Sequence, residues 1–297
     1  MNPAAPAGYP IGIFDSGIGG LSVLRHIREQ LPAENLLYFA DSGFAPYGDK
    51  PEAVVIRRAM EITRHLLAND CKALVVACNT ATAAAIHLLR EAWPDMPIVG
   101  IEPGLKPAAA ITKSRVVGVL ATERTLASGK FRRLHHEISE QTGVNFVMQA
   151  CPGLADMVER NERHTARADQ LVRRYIQPLL EQDADTIVLG CTHYPFLRQT
   201  IEAALEASAA GPVNIVDTGI AVTRQLARLL EQRGLQRPDA KGPGEVRAIT
   251  TGDPALLTEQ FGQLLHIRPE ITGIITGHTD PGTLALIHCG TLKGTFS

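Results

Sequence analysis

Twice in this sequence an apolar run ends on a cysteine. "LVVACNTATAAAI" (Leu74 to Ile86) carries Cys78, and "TIVLGCTHYPFL" carries Cys191. Each thiol stands where a strand-like segment gives way to a helix-like one, with a threonine close behind. Comparable junctions hold Asp15-Ser16-Gly17, Asp41-Ser42, Asn79-Thr80, Thr122 with Thr125, and Thr192-His193. Hydroxyls and free backbone N–H groups at helix N-termini suit a carboxylate or another small anion. A helix N-terminus also stabilises a thiolate. Because a free cysteine titrates near about 8.5, even a modest depression makes it a usable base near neutrality. That depression is the expectation for these thiols.

Two thiols at matching places allow three chemistries. A redox dithiol usually shows Cys-x-x-Cys spacing, which is absent. A cysteine nucleophile needs one thiol and a base, and leaves the second thiol without a task. Proton transfer at both faces of one carbon uses both: a thiolate removes a proton while a thiol opposite delivers one. No strong motif for a nucleotide or metal cofactor competes, so no cofactor is expected and hydrogen-bond donors would have to stabilise a carbanion. No metal is expected either, because Cys191 and His193 lack a second ligand pair nearby. Bland readings stand beside these. "DSGIGG" is a short glycine-rich turn that could cradle phosphate, yet it lacks the lysine of a P-loop. Asp15 also fits a turn cap, and His193 a satisfied junction histidine. Cys71 and Cys289 read as small apolar fillers.

The elements that must position these groups alternate regularly. Strand-like "IGIFDSG", "NLLYFADSG", "KALVVAC" and "MPIVGIE" are separated by helical patterns at "LSVLRHIREQLP", after Pro51, and from about Ala81 to Trp93. "SRVVGVLATERT" restarts the pattern, followed by a helix from about Leu126 to Glu140, strand "VNFVMQAC", helix "TARADQLVRRYIQPLL", strand "ADTIVLGC", a helix from about Phe196 to Ala207, and strand "PVNIVDTG". Near-continuous apolar strands between helices mean parallel sheets covered on both faces. The fold class is therefore α/β, with two similar parallel-sheet units facing each other: residues 1–102 with 217–297, and residues 103–216. "GIAVTRQLARLLEQRG" is an amphipathic helix, "QRPDAKGPGE" a loop, and "VRAITTG" a strand returning to the first unit. The Gly- and Thr-rich stretch from Ile271 to Ser297 has no assignment from its pattern.

The bulk numbers suit a cytosolic enzyme. The 297 residues are 45% hydrophobic and 20% charged, with a net charge of −2. No basic stripe interleaves with aromatics, so nucleic acid is not an expected partner. No apolar run approaches the ~18 residues of a membrane span, so no membrane is expected. "MNPAAPAGYP" lacks signal-peptide features and reads as a short disordered lead-in. Five irregularly spaced cysteines do not suggest a disulfide framework.

"FDSGIGGLSVL", "PYG" (Pro46 to Gly48), "ACNTATA" and "LGCTHYPFL" occur in an order that closely resembles the glutamate racemases of the cofactor-independent aspartate/glutamate racemase family. The likeness runs from about Ile11 to Gly252. It implies two α/β domains related by a pseudo-twofold axis, with the active site in the cleft between them. It also implies interconversion of L- and D-glutamate for bacterial peptidoglycan, in a cytoplasmic homodimer. On this resemblance Cys78 and Cys191 are the acid/base pair on opposite faces of Cα. Asp15, Asp41, Glu159 and His193 are auxiliary groups. Substrate contacts fall to Asp15, Ser16, Pro46, Tyr47, Gly48, Asn79, Thr80, Thr122 and Thr192, beside Asp41, Thr125 and His193 at the junctions. Two departures stand out: "ADMVE" replaces a "VPLVE"-like stretch at Glu159, and "SGFAPYG" lacks the arginine often found before PYG. The rival readings are an aspartate or hydantoin racemase, and, from another class, a small-anion or nucleotide-binding regulator built on "DSGIGG".

Overall fold

The computed structural model describes residues 7–208, 211–238, 242–276 and 286–288. The N-terminal lead-in up to residue 6, Cys289 and most of the Gly/Thr-rich tail lie outside them.

The first unit builds β1 (Ile11–Asp15), α1 (Leu21–Gln30), β2 (Leu36–Ala40), α2 (Glu52–Ala68), β3 (Ala73–Val76), α3 (Asn79–Ala92) and β4 (Ile98–Gly100). The second builds α4 (Leu105–Ile111), β5 (Val116–Ala121), α5 (Glu123–Ala127), α6 (Gly129–Thr142), β6 (Asn145–Ala150), α7 (Leu154–Glu159), α8 (Ala166–Leu180), β7 (Thr186–Gly190), α9 (Arg198–Glu206) and β8 (Asn214–Val216). The chain then continues through α10 (Gly219–Gln232), β9 (Val246–Thr250), α11 (Pro254–Leu265), β10 (Glu270–Thr276) and β11 (Leu286–His288).

Two sheets result, in orders β11-β10-β9-β2-β1-β3-β4 and β6-β5-β7-β8. All pairings are parallel except β10 with β11. The fold is thus two parallel-sheet α/β domains. Every residue of β1, β2, β3 and β7 is buried, which is why these strands read as continuous apolar runs. The run of strands 2-1-3-4 in the first domain repeats as 6-5-7-8 in the second. β3 is therefore the counterpart of β7, and each is the strand that precedes a cysteine of the pair.

Register then decides what meets at the sheet edges. Asp15 pairs with Ala40, and Val76 with Phe14, so the carboxyl ends of β1, β2 and β3 present Asp15, Asp41 and Cys78 together. In the second sheet Ala121 pairs with both Ala150 and Gly190, which sets Thr122, Cys151 and Cys191 along one edge. Each first strand has its successors on opposite sides, and open parallel sheets form a ligand crevice at such a switch point.

Two expected helices differ in detail. The helix expected from Leu126 to Glu140 is split at Ser128, whose extended backbone ends α5 and whose Oγ caps α6 by accepting from Phe131 N at 3.1 Å. The one expected to start at Ala81 starts at Asn79, because Cys78 is itself the cap.

Candidate active site

The turn "DSGIGG" leaves β1 with Asp15 fully buried, and Asp15 Oδ2 accepts from Gly20 N at 2.8 Å. Its glycines face the second domain at close quarters. A Cβ on Gly17 would collide with Glu159 Oε1, and one on Gly19 would stand 2.6 Å from Thr192 Oγ1 and strike the His193 ring. Ile18 N donates to Glu159 Oε1 at 2.9 Å. The anion cradled by this turn is the chain's own Glu159. Ser22 Oγ ties the same turn to Thr192 O at 2.9 Å.

Cys191, Glu159 and His193 form one arm. His193 Nε2 lies 2.7 Å from Glu159 Oε1, and its Nδ1 lies 3.6 Å from Cys191 Sγ. Burial opposes a charge on this imidazole, but the hydrogen bonds and charges of Cys191 and Glu159 outweigh it and hold the pKa of His193 well above the ordinary histidine value. Cys78 forms the other arm. Its Sγ accepts from Ala81 N at 3.5 Å and lies 3.8 Å from Ser16 Oγ.

Both thiols line one cavity between the domains, some 680 Å³ including its open mouth, together with Ser16, Pro46, Tyr47, Gly48, Asn79, Thr80, Thr122, Glu159, Thr192 and His193. Asn79 is buried, and among the described residues neither its Oδ1 nor its Nδ2 has a partner. Across the cleft Thr80 Oγ1 is 3.2 Å from Thr122 Oγ1, which donates to Thr125 Oγ1 at 2.9 Å.

A family model described as Asp/Glu/hydantoin racemase matches residues 11–226 of the chain. The chain belongs to this racemase family. The glutamate racemase of Methylococcus capsulatus is 57% identical over 228 residues, spanning 76% of this chain and 81% of the relative. The structure of glutamate racemase isoform RacE1 from Bacillus anthracis superposes with a TM-score of 0.80 at 32% identity, covering 92% of this chain and 98% of that one. Escherichia coli glutamate racemase, solved with L-glutamate and the activator UDP-MurNAc-Ala, gives 0.75 at 31% identity, covering 89% and 97%.

Within this racemase-family site the two thiols sit in different surroundings. Burial pushes the Cys78 thiol far up, the charge of Asp15 pushes it the same way, and the Ala81 N–H pulls only weakly against them. The expected depression by a helix N-terminus is therefore overturned at Cys78: the N–H is aimed at the sulfur, but desolvation wins. At Cys191 no α-helix follows directly; a short 3-10 turn, Tyr194–Leu197, intervenes before α9. Asp15 is itself raised by burial, with His193 and Gly20 N opposing and Glu159 adding to the rise.

Some residues expected at the site stand behind the cavity wall. Asp41 is fully buried and is not among the lining residues. Its Oδ2 accepts from Tyr47 OH at 2.5 Å and Arg58 Nε at 2.8 Å, and its Oδ1 from Arg58 Nη2 at 2.5 Å and Thr251 Oγ1 at 2.9 Å. It holds the Pro46–Gly48 wall in place through Tyr47. Asp15 lies beneath Cys78, also off the lining, and Thr125 reaches the cavity only through Thr122 and Thr80.

Several residues at or behind the wall carried no sequence expectation. Arg58 looks like an ordinary helix charge, and only the fold shows it buried against Asp41 and over the Phe44 ring at 3.9 Å. Cys151 lines the cavity as a third thiol, pushed well up chiefly by burial. Its place after β6, at an apolar strand end like those of Cys78 and Cys191, was the available signal.

Proposed function

We propose that the protein interconverts L- and D-glutamate by two-thiol proton transfer at Cα. The observation that carries this reading is the pair of buried cysteines, one at the end of each of two equivalent strands, lining a single cavity. The naming of similar chains as glutamate racemases, one of them solved with L-glutamate, supports the substrate.

The chemistry follows from the two surroundings. Cys78, buried beside the Asp15 carboxylate, is disposed to rest as the thiol and act as the acid. His193 can share a proton with Cys191 while Glu159 balances the imidazolium, so the Cys191 arm is disposed to act as the base. In one direction Cys191 takes the α-proton, the electron pair stays on Cα and its carboxylate, and Cys78 delivers a proton to the opposite face. The reverse direction exchanges the roles.

The α-proton is weakly acidic because its removal adds charge beside an existing carboxylate. Among the described residues no lysine or arginine lines the cavity, so the donors for that charge beside the His193 arm are neutral: Ser16, the Asn79 amide, Thr80, Thr122 and Thr192. Preorganised donors matter most where charge develops in a site shielded from water. The Asn79 amide is the sharpest case. An unmet buried polar group costs about 1–3 kcal/mol, which a bound carboxylate or ammonium recovers. The wider reading places the enzyme in the cytoplasm, as a homodimer that supplies D-glutamate for peptidoglycan.

A chiral assay across L-glutamate, L-aspartate and L-glutamine tests the substrate. Turnover confined to glutamate is the expected result, and preference for aspartate overturns the assignment.

A further inference from the structure

The chain beyond residue 226, past the stretch that the family model matches, returns to touch both walls of the site. On one side Thr251, just after β9, donates to Asp41 and accepts from Gly43 N at 3.0 Å. On the other, α11 packs on the first domain, with Phe261 set edge-on against Tyr38 at 5.8 Å. From the same helix buried Gln260 crosses to the second domain, and its Nε2 donates to the main-chain oxygen of Glu159 at 2.9 Å.

That oxygen belongs to the last residue of α7, where helical carbonyls have no partner within their own helix. The neighbouring carbonyls of Asp156 and Val158 are met locally by Arg160 N and Asn161 N, whereas Glu159 O is met by Gln260. Fixing this carbonyl fixes the Glu159 backbone, from which the carboxylate must reach both Ile18 N and His193 Nε2. A shift of a few tenths of an ångström in α7 has to be absorbed by one of those two bonds. Among the described residues Cys78 shares no hydrogen-bond partner with this network: its own are Ser16 and Ala81, and Asp15 meets both arms through charge alone.

We propose that Gln260 is a positioning residue which, through the Glu159 backbone, sets the Glu159–His193–Cys191 arm and so governs proton transfer at Cys191 and not at Cys78. This rests on the two-thiol reading above. The structural alternative is that Gln260 only anchors α11.

Racemisation has an equilibrium constant of one, so any loss of kcat/KM is equal for the two enantiomers and cannot distinguish the arms. Isotope effects can. The test compares the full-length parent with Gln260→Met and Gln260→Glu, neither of which offers an N–H to Glu159. Leu257→Ala is a control that loosens α11 and leaves the amide in place. Substrate isotope effects on kcat/KM are measured with α-deuterated L-glutamate and α-deuterated D-glutamate, beside melting temperatures.

Loss of one neutral hydrogen bond is expected to lower kcat/KM about tenfold. As the Cys191 step becomes more limiting, the isotope effect should rise with the enantiomer deprotonated by Cys191 and fall with the other. Leu257→Ala should lower the melting temperature and leave both isotope effects in place. Isotope effects unchanged in both Gln260 variants, or moving in the same direction for both enantiomers, overturn the inference. A parent enzyme that racemises glutamate without taking up solvent deuterium overturns the two-thiol reading itself, and this inference with it.

Discussion

His193 stands between Glu159 and Cys191, with Nε2 2.7 Å from the carboxylate and Nδ1 3.6 Å from the sulfur. Among the described residues Cys78 has no such imidazole; its surroundings are Ser16, Asp15 and a helix N–H. The two domains repeat a strand order and a cysteine position, yet they dress the two sulfurs differently. A reaction that needs one acid and one base at a time is served by that difference.

The His193 arm predicts a pH-dependent stability. The folded protein holds the His193 proton more tightly than the unfolded chain does, since its pKa is raised well above 6.5. The stabilisation is therefore complete below the unfolded value and is lost as pH rises through the folded one. The melting-temperature gap between the parent and His193→Gln should be widest below about pH 6.5 and close toward alkaline pH. Racemase activity of the variant should fall by about 100-fold or more, the usual scale for losing a positioned acid/base group. Thermal scans across pH and a chiral assay check the two halves.

Asn79 predicts stability and activity moving apart. Its amide is buried without a partner among the described residues, so the free protein carries an unmet polar group. Asn79→Leu should leave the melting temperature unchanged or raise it while lowering kcat/KM by about 10- to 100-fold, the worth of about 1–3 kcal/mol. Steady-state kinetics beside calorimetry measure both.

Gly19→Ala should fail for steric reasons. The added methyl would meet Thr192 Oγ1 and the His193 ring, neither of which is at the end of a long flexible chain. Overpacking of this kind costs about 1–3 kcal/mol, and here the strain falls on the Cys191 arm. The expected outcome is a lower melting temperature together with a disproportionate loss of kcat.

Arg58 and Asp41 predict a rescue. Arg58→Met alone leaves the Asp41 carboxylate buried without its main partner, a loss of about 3–5 kcal/mol. Pairing it with Asp41→Asn removes the stranded charge, so the double variant should be more stable than Arg58→Met alone. KM should still rise in the double variant, because the bond holding Tyr47 is weakened. Denaturant melts of both variants and of Asp41→Asn complete the cycle.

The fold and the two thiols were legible because each signal was local. β1, β2, β3 and β7 are buried on both faces and so read as unbroken apolar runs ending at the chemistry. The groups that set protonation depended on long-range packing and were harder to read. Glu159 reaches Ile18 across 141 positions, and Thr251 reaches Asp41 across 210. The direction of the Cys78 shift is hidden from the sequence for a related reason: a helix start is visible there, but complete burial beside Asp15 is not. The auxiliary role of Asp41 comes from the family resemblance alone, and the sequence does not show that Arg58, Tyr47 and Thr251 claim its oxygens. α11 carries an Asp253–Pro254 start signal, but its reach to Glu159 appears only in three dimensions.

The central claim is tested most directly by incubating the parent, Cys78→Ala and Cys191→Ala with L-glutamate in D₂O, following α-deuteration and optical rotation together. The parent should lose rotation as deuterium enters the α-position, and each variant should leave the rotation unchanged. Full racemisation by either alanine variant would contradict the account.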